Sequence, residues 1–230
     1  MKRILPLSLA LVLALSLLTA CNKDEPAKTT GADTGTVTTA PSPTPAPQNT
    51  ASPTEYKKGT LTETGFESEY LNLRFSLPET SVMATEADIN TMMGLGAEFS
   101  GLNQQMIEYA NLTTVYEMMA TDVVTGSNVI VLVEKLSMSN LTVDQYFSAL
   151  KTQLQGLGTI AYEVSDDIVT VEVAGQSYQQ LTASTSSYGM TMEQTYIIRK
   201  VDDRMVGFIF TNTTDTSDAI DTLMAGFTTY

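Results

Sequence analysis

The side chains that carry out most protein chemistry are nearly absent from this sequence. Its 230 residues include no His, no Trp and a single Cys, Cys21. Ser-His-Asp and Cys-His nucleophile sites, His-ligated haem and Cys-rich zinc sites all require those residue types. The composition therefore excludes these sites and leaves a narrow choice of reactive groups.

Carboxylates are abundant, but their spacing does not predict a reactive pair. Asp166-Asp167 and Asp202-Asp203 are adjacent residues in turn sequences, where neighbouring side chains point in different directions, unlike the facing carboxyl groups of a glycosidase. Asp215, Asp218 and Asp221 follow helical spacing without the glycine and final Glu of a calcium loop, so capping and the helix dipole explain them better. We therefore predict no catalytic residue, no metal and no cofactor.

The N-terminal segment has the pattern of an export signal. Met1-Lys2-Arg3 is followed by an uncharged, Leu-rich stretch from Ile4 to Ala20 and then by Cys21. The stretch is shorter than the roughly 20 residues that a membrane-spanning helix needs. The pattern predicts a signal peptide over residues 1–20.

The residues before the cysteine, Leu18, Thr19 and Ala20, together with Cys21, resemble the lipobox of bacterial lipoproteins. The resemblance implies cleavage before Cys21 and a diacylglyceryl group on its sulfur, and two acyl chains give stable membrane anchoring. The expected location is the extracytoplasmic face of a bacterial membrane: the cell surface of a Gram-positive host, or the periplasm or outer membrane of a Gram-negative one. The alternative is an ordinary secretory signal followed by an unmodified cysteine.

Residues 21–60 have the composition of a disordered tether. Positions 22–60 contain ten Thr, six Pro and five Ala, and Val37 and Tyr56 are the only sizeable apolar side chains. Such a segment has little to bury against the entropy of ordering. The Pro-rich run from Ala40 to Pro47 favours extended polyproline II, and the tether reaches about 35 Å or more.

The charge lies on the remaining residues, 61–230. Without residues 1–20, the chain has 10 basic and 26 acidic residues and a net charge of −16, and residues 22–60 are neutral as a group. A domain with this charge repels phosphate backbones and anionic lipid surfaces. We therefore predict that it does not bind nucleic acid and that only the lipid on Cys21 holds it to the membrane.

Hydrophobic periodicity predicts an α+β domain over residues 61–230. Alternation predicts strands, period 3.6 predicts helices, and two strands that are apolar on both faces, around Val131 and Ile209, belong in the middle of a covered sheet. A capping-box pattern at Thr142 and Gln145 starts the clearest helix. The expected architecture is an antiparallel β-sheet with helices on both faces, an α/β/α three-layer sandwich. The predicted strands are 61–66, 71–77, 114–121, 128–136, 167–173, 176–185, 190–200 and 204–211, and the predicted helices are two short ones within 86–109, one at 143–154 and one at the C-terminus.

A resemblance to a known family rests on the order of these elements. The run from Glu69 to Pro78, the hairpin ending at 129–134, the helix at 143–154 and the meander closed by a C-terminal helix are together similar to the PsbP-like superfamily, specifically its bacterial lipoprotein members. The Trp often found after that Pro is missing here. The resemblance implies a small antiparallel α/β/α domain that binds a partner protein or assembly without catalysis, and it transfers no catalytic residue.

Two groups of residues are candidate partner contacts. Arg199, Lys200 and Arg204 are half of the six basic residues of the domain and lie in one hairpin. They are either solvated charges on a sheet edge or an anchor for an acidic partner. Met190 and Met192 share a strand face, where they either fill the core or line an adaptable groove.

Three functions are consistent with these features. The leading hypothesis is a membrane-anchored, non-catalytic binding or accessory module for an envelope protein or assembly. The alternative is a receptor domain for a small ligand or calcium, in keeping with the excess of carboxylates. The third is a hydrolase that uses carboxylates and Tyr, which would require two carboxyl groups converging in a cleft.

Overall fold

The structure is a computed structural model that describes residues 55–99, 108, 111–157, 161–187, 190–213 and 217–230. The predicted signal peptide, Cys21 and the tether up to residue 54 lie outside these ranges. Twelve strands and three helices have described bounds, and residues 108 and 111–113 are also helical. The strands are β1 (Thr60–Thr62), β2 (Gly65–Ser68), β3 (Leu73–Ser76), β4 (Ser81–Met83), β5 (Thr114–Asp122), β6 (Asn128–Lys135), β7 (Tyr162–Val164), β8 (Val169–Val173), β9 (Gln176–Ser187), β10 (Met190–Val201), β11 (Arg204–Thr213) and β12 (Phe227–Thr228), and the helices are α1 (Glu86–Phe99), α2 (Val143–Gln155) and α3 (Ser217–Ala225).

The main sheet is antiparallel and places the most apolar strands at its centre. Its order is β4-β5-β6-β11-β10-β9-β7, and β8 pairs with β9 beside β7. Strands β6 and β11 pair along their whole lengths, from Arg204 opposite Lys135 to Thr211 opposite Asn128. Both strands are buried on both faces, as their continuous apolar runs predict.

Helices cover both faces of the main sheet, which confirms the predicted fold class. On one face, α2 packs over Leu132, Tyr196 and Ile209, and α1 packs through Ile89. On the other face lie α3, through Leu223, and a small sheet of order β1-β2-β3-β12. The capping box of α2 forms as predicted, since the Thr142 hydroxyl accepts from the backbone N–H of Gln145 and the Gln145 side chain accepts from that of Thr142. No helix in the described ranges is both long and apolar enough to span a bilayer.

Several elements differ from the sequence prediction. Helix α1 runs from Glu86 to Phe99 and includes Gly94 and Gly96, while most of the range in which the second short helix was predicted lies outside the described residues. Strands β4, β7 and β12 were not predicted, because segments of two or three residues carry no readable alternation. The predicted cap of α3 at Asp215 or Thr216 lies outside the described residues.

The packed domain begins before the predicted boundary at residue 61. Tyr56 packs against the core cluster between the two sheets, and its hydroxyl donates to the Glu117 carboxylate at 2.6 Å. Lys58 pairs with Glu86 at 2.6 Å. Residues 55–60, which composition assigned to the tether, are therefore part of the folded unit.

Candidate functional site

A groove of about 590 Å³ lies where the chain enters the domain. Its walls come from the segment before β1, the end of β2 and the turn after it, the β10–β11 turn and the C-terminus. This size falls within the range of ligand-binding clefts. The residues that line it are Glu55, Lys57, Lys58, Gly59, Thr60, Glu67, Ser68, Glu69, Tyr70, Val201, Asp202 and Tyr230.

Charge and aromatic rings share the lining of this groove. It contains four carboxylates and two lysines, and Lys58 is already paired with Glu86. Arg74 supports one wall, because it pairs with Glu67 at 3.3 Å and its guanidinium lies 4.7 Å from the centre of the Tyr230 ring. The lining of the groove therefore combines two tyrosine side chains with an excess of negative charge.

Tyr56 forms the support beneath the groove. Its ring meets Tyr70 edge-on at 5.1 Å, and the guanidinium of Arg204 lies 4.3 Å from the centre of its ring. A cation over an aromatic face is an attractive arrangement that strengthens when it is shielded from water. The side chain of Arg204 is only 16% exposed. These contacts fix the position of Tyr70, which lines the groove.

A buried carboxylate, Glu117, connects the main sheet to the entering segment, residues 55–59, which precedes β1. It is 1% exposed and accepts hydrogen bonds from the Tyr56 hydroxyl at 2.6 Å and the Gly59 backbone N–H at 2.8 Å. The pairing of β5 with β6 shifts register between Tyr116 and Met118, which leaves Glu117 as the extra residue of a β-bulge. Consequently Glu117 and Met118 both point to the face that carries the small sheet.

Gly59 is required for the close approach of this segment. A Cβ built at this position would overlap the Phe66 ring and lie 2.8 Å from the carbonyl oxygen of Glu67. Only glycine lets the backbone pass close enough for its N–H to reach Glu117. The absence of a side chain at Gly59 therefore allows the hydrogen bond between this segment and Glu117.

Burial dominates the electrostatics of this cluster. Removal from water raises the pKa of Glu117, while the hydrogen bonds from Tyr56 and Gly59 and the nearby Lys58 act in the opposite direction. Burial, followed by the hydrogen bond to Glu117, raises the pKa of Tyr56. Burial also raises the pKa of Tyr70, against the opposing effect of Arg204. The tyrosines stay neutral donors at physiological pH.

The raised pKa of Glu117 predicts a specific pH dependence of stability. Between the ordinary value of 4.5 and the raised folded value, the folded chain holds a proton that the unfolded chain releases, so Glu117 lowers stability as pH rises through this window. Because Gln does not ionise, we expect Glu117→Gln to remove this decrease of stability with rising pH. Its free energy of unfolding relative to the wild type should increase from about pH 4 to about pH 7 in urea titrations.

The informative quantity is the change with pH in the stability difference between Glu117→Gln and the wild type. A destabilisation by the amide that is the same at every pH does not affect this change. Glu163→Gln, which alters an exposed glutamate on β7, is the matched control. A stability difference between Glu117→Gln and the wild type that stays flat across the pH range would contradict the buried position of the carboxylate.

The structure separates the basic residues that the sequence grouped together. Arg199 donates to the carbonyl of Leu71 at 3.2 Å and lies 5.2 Å from the centre of the Tyr178 ring, and Arg204 lies against Tyr56. Lys200 points to the other face and donates to the carbonyl of Ser139. Arg204 is not an edge charge, because β11 pairs with β10 on one side and with β6 on the other at this residue. Two of the three position elements around the groove, whereas the turn between them lines it.

The methionines that the sequence suggested as partner contacts lie on β10, whereas other methionines fill the core. Met192 is half-buried on β10, and Met190 lies in the same strand at a position whose side chain is outside the described set. Met118 and Met119 are fully buried core residues. The predicted lipidation and cleavage residues, Cys21 and Leu18 to Ala20, also lie outside the described ranges.

The buried carboxylates in the described ranges do not converge. Glu117 faces the small sheet, whereas Glu134 lies on the opposite face of the main sheet and accepts from the Tyr146 hydroxyl at 2.8 Å. Asp122 lies at the far end of β5, where it accepts from the backbone N–H groups of Val124 and Thr125. An acid–base pair built from these groups is therefore geometrically excluded. The described residues also contain no group of three or more carboxylate or cysteine side chains placed to hold a metal ion.

Comparisons with known proteins give similarity only at the level of structure. No protein-family model and no curated protein matches the chain. The solution structure of cyanobacterial PsbP (CyanoP) from Synechocystis is 11% identical over 76% of this chain and 98% of that one, with a TM-score of 0.45. LpqN, involved in cell envelope biogenesis of Mycobacterium tuberculosis, is 12% identical over 68% of this chain and 82% of that one, with a TM-score of 0.41.

A third similar structure comes from Bacteroides thetaiotaomicron. It is 9% identical, and the match covers 74% of this chain and 49% of that one with a TM-score of 0.41. The solved structures thus include a PsbP protein and a protein involved in cell envelope biogenesis. With TM-scores below 0.5, they assign no partner and no activity to this chain.

Proposed function

We propose that this chain is a lipid-anchored, extracytoplasmic lipoprotein whose domain acts as a non-catalytic binding or accessory module for an envelope protein. The observation that carries the proposal is the position of the groove. One wall is formed by Glu55 and residues 57–60, which follow the Pro- and Thr-rich segment in the sequence. An anchored domain would hold this groove beside the exit point of its own tether.

The lining of the groove supports a protein partner. Tyr70 and Tyr230 offer rings with polar ends, the type of side chain that is enriched at the energetic centres of protein interfaces. Glu67, Glu69 and Asp202 line the same groove and are exposed. Exposed charges at an interface mainly set specificity and association rate, and these favour a basic loop on the partner.

Site-specific photo-crosslinking in cells tests the proposal. A crosslinking amino acid at Glu69, in the groove lining, should capture one envelope protein in near-stoichiometric amount, because the groove is the contact surface. The matched control is the same amino acid at Val124, which is 78% exposed in the β5–β6 turn at the other end of the main sheet. The captured protein is then purified, and its binding to the wild-type domain and to Tyr70→Ala is measured.

The proposal requires capture from Glu69 alone and binding that Tyr70→Ala weakens by about tenfold or more, the loss of one interface anchor. Capture of the same proteins from Glu69 and Val124, or of none, would overturn it. Equal affinity of Tyr70→Ala and the wild type for the purified partner would also count against the groove.

A further inference from the structure

We propose that the outer edge of β8 is a second interaction surface, which accepts an extended basic segment of a partner protein as an added antiparallel strand. In the described part of the chain, β8 pairs with β9 on one side, and no strand pairs with its other side. Exposed strand edges are templates for strand addition. The groove and this edge are separate surfaces, and the proposal does not depend on the function of the groove.

The backbone geometry identifies the groups that a partner would meet. Val173 and Gln176 close a two-residue turn in which Ala174 and Gly175 have φ of +50° and +68°, the signature of a tight hairpin. Residues of an antiparallel pair alternate between bonding inward and outward. Since Val173 bonds to β9, the N–H and C=O groups of Thr170 and Glu172 point away from the sheet.

The side chains of β8 include only one charged residue, Glu172, as protection of the edge. The strand reads Val-Thr-Val-Glu-Val, which favours β structure and contains neither the lysine nor the proline that commonly blocks edge pairing. Ile168 and Val169 at its start are 42% and 47% exposed. A partner strand would therefore gain both backbone hydrogen bonds and apolar contact.

Charge selects the class of partner. Glu163, Asp167 and Glu172 are exposed along β7, β8 and their connection, and Asp166, although paired with Lys151, has a side chain that is 93% exposed. A second copy of this chain would bring the same carboxylates to the seam, and like charges on facing strands are destabilising. A segment carrying lysine or arginine at alternate positions would instead be attracted.

Hydrogen exchange with defined peptides tests this surface. The probes are a terminally blocked peptide of alternating Lys and Val and its alternating Glu and Val counterpart, each added to the purified full chain. We expect the basic peptide to slow exchange of the Thr170 and Glu172 amides by about tenfold or more, because they become hydrogen-bonded. The amides of Val169 and Val171, which bond to β9, should change little and serve as internal controls.

Two variants of one residue separate the edge from the rest of the domain. Thr170→Pro removes the outward N–H and leaves the bonds to β9, and an edge strand tolerates this change. Thr170→Val keeps the N–H. We expect the basic peptide to leave the Glu172 amide unprotected in Thr170→Pro. In Thr170→Val, the peptide should still protect this amide.

Each other outcome contradicts the proposal. If the wild type shows no protection with the basic peptide, β8 is not a docking edge, whether or not Thr170→Pro folds. If the acidic peptide slowed exchange of these amides as much as the basic peptide, the proposed preference for a basic partner would be wrong. Protection without peptide, accompanied by dimers in sedimentation, would assign the edge to a second copy of the chain. None of these results bears on the groove, which is tested by crosslinking at Glu69.

Discussion

Phe208→Ala is expected to lower the free energy of unfolding by about 3–5 kcal/mol, the range for removal of a buried Phe side chain. Phe208 is 0% exposed on the central strand β11, and its ring meets Tyr178 at 5.3 Å and Phe227 at 5.0 Å. It therefore joins the main sheet to the small sheet. A loss of this size would be a large part of the free energy of unfolding of an ordinary domain, which is about 5–15 kcal/mol.

Urea unfolding monitored by tyrosine fluorescence measures this effect. The transition midpoint should fall while its slope stays the same, because the surface exposed on unfolding is almost unchanged. Val124→Ala, at an exposed turn position, is the control and should shift stability by no more than about 0.5 kcal/mol. If Phe208→Ala cost as little as this control, the two sheets would not be packed through Phe208.

The sequence was sufficient for those elements whose signal is local. The apolar stripe and capping box of α2 predicted a helix at 143–154, and the structure has Val143–Gln155. The runs around Val131 and Ile209 were predicted to lie in the middle of the sheet, and β6 and β11 are its central strands. In these cases periodicity and burial depend only on neighbouring residues, so no knowledge of distant pairing was needed.

The small sheet was harder to predict because it depends on distant segments. Strand β12 has only Phe227 and Thr228, and it is a strand because these residues pair with Phe75 and Arg74. Sequence alternation cannot reveal a two-residue strand. For a similar reason, Arg204 was interpreted as a possible edge charge, since nothing local states that β11 pairs with β6 on its far side.

The groove was only partly visible in the sequence. The β10–β11 turn was singled out through its basic residues, and this turn does contribute Asp202 to the lining. Tyr56 stood out as a sizeable apolar residue in a polar segment, whereas Glu117 was not singled out. Their meeting could not be predicted, because it requires a β-bulge in β5 and the return of the entering chain across the sheet.

The largest effect on location is expected from Cys21→Ala. If Cys21 carries a diacylglyceryl group, its two acyl chains bind a bilayer stably, whereas the acidic domain has no electrostatic attraction to anionic lipids. The wild-type protein should therefore lie almost entirely in the membrane fraction, resist salt extraction and dissolve in detergent. Growth with an alkyne-tagged fatty acid should label the wild type and leave Cys21→Ala unlabelled.

The label and the mass of the N-terminus decide this prediction independently of fractionation. An uncleaved signal peptide could hold Cys21→Ala at the membrane, so the control keeps Ala at position 21 but replaces residues 1–20 with a cleavable secretory signal. This control should be released as a soluble mature chain, because nothing else in it binds lipid. A wild-type mature chain whose Cys21 bears a free thiol would contradict the lipid anchor, and the groove would then lose its fixed position beside the membrane tether.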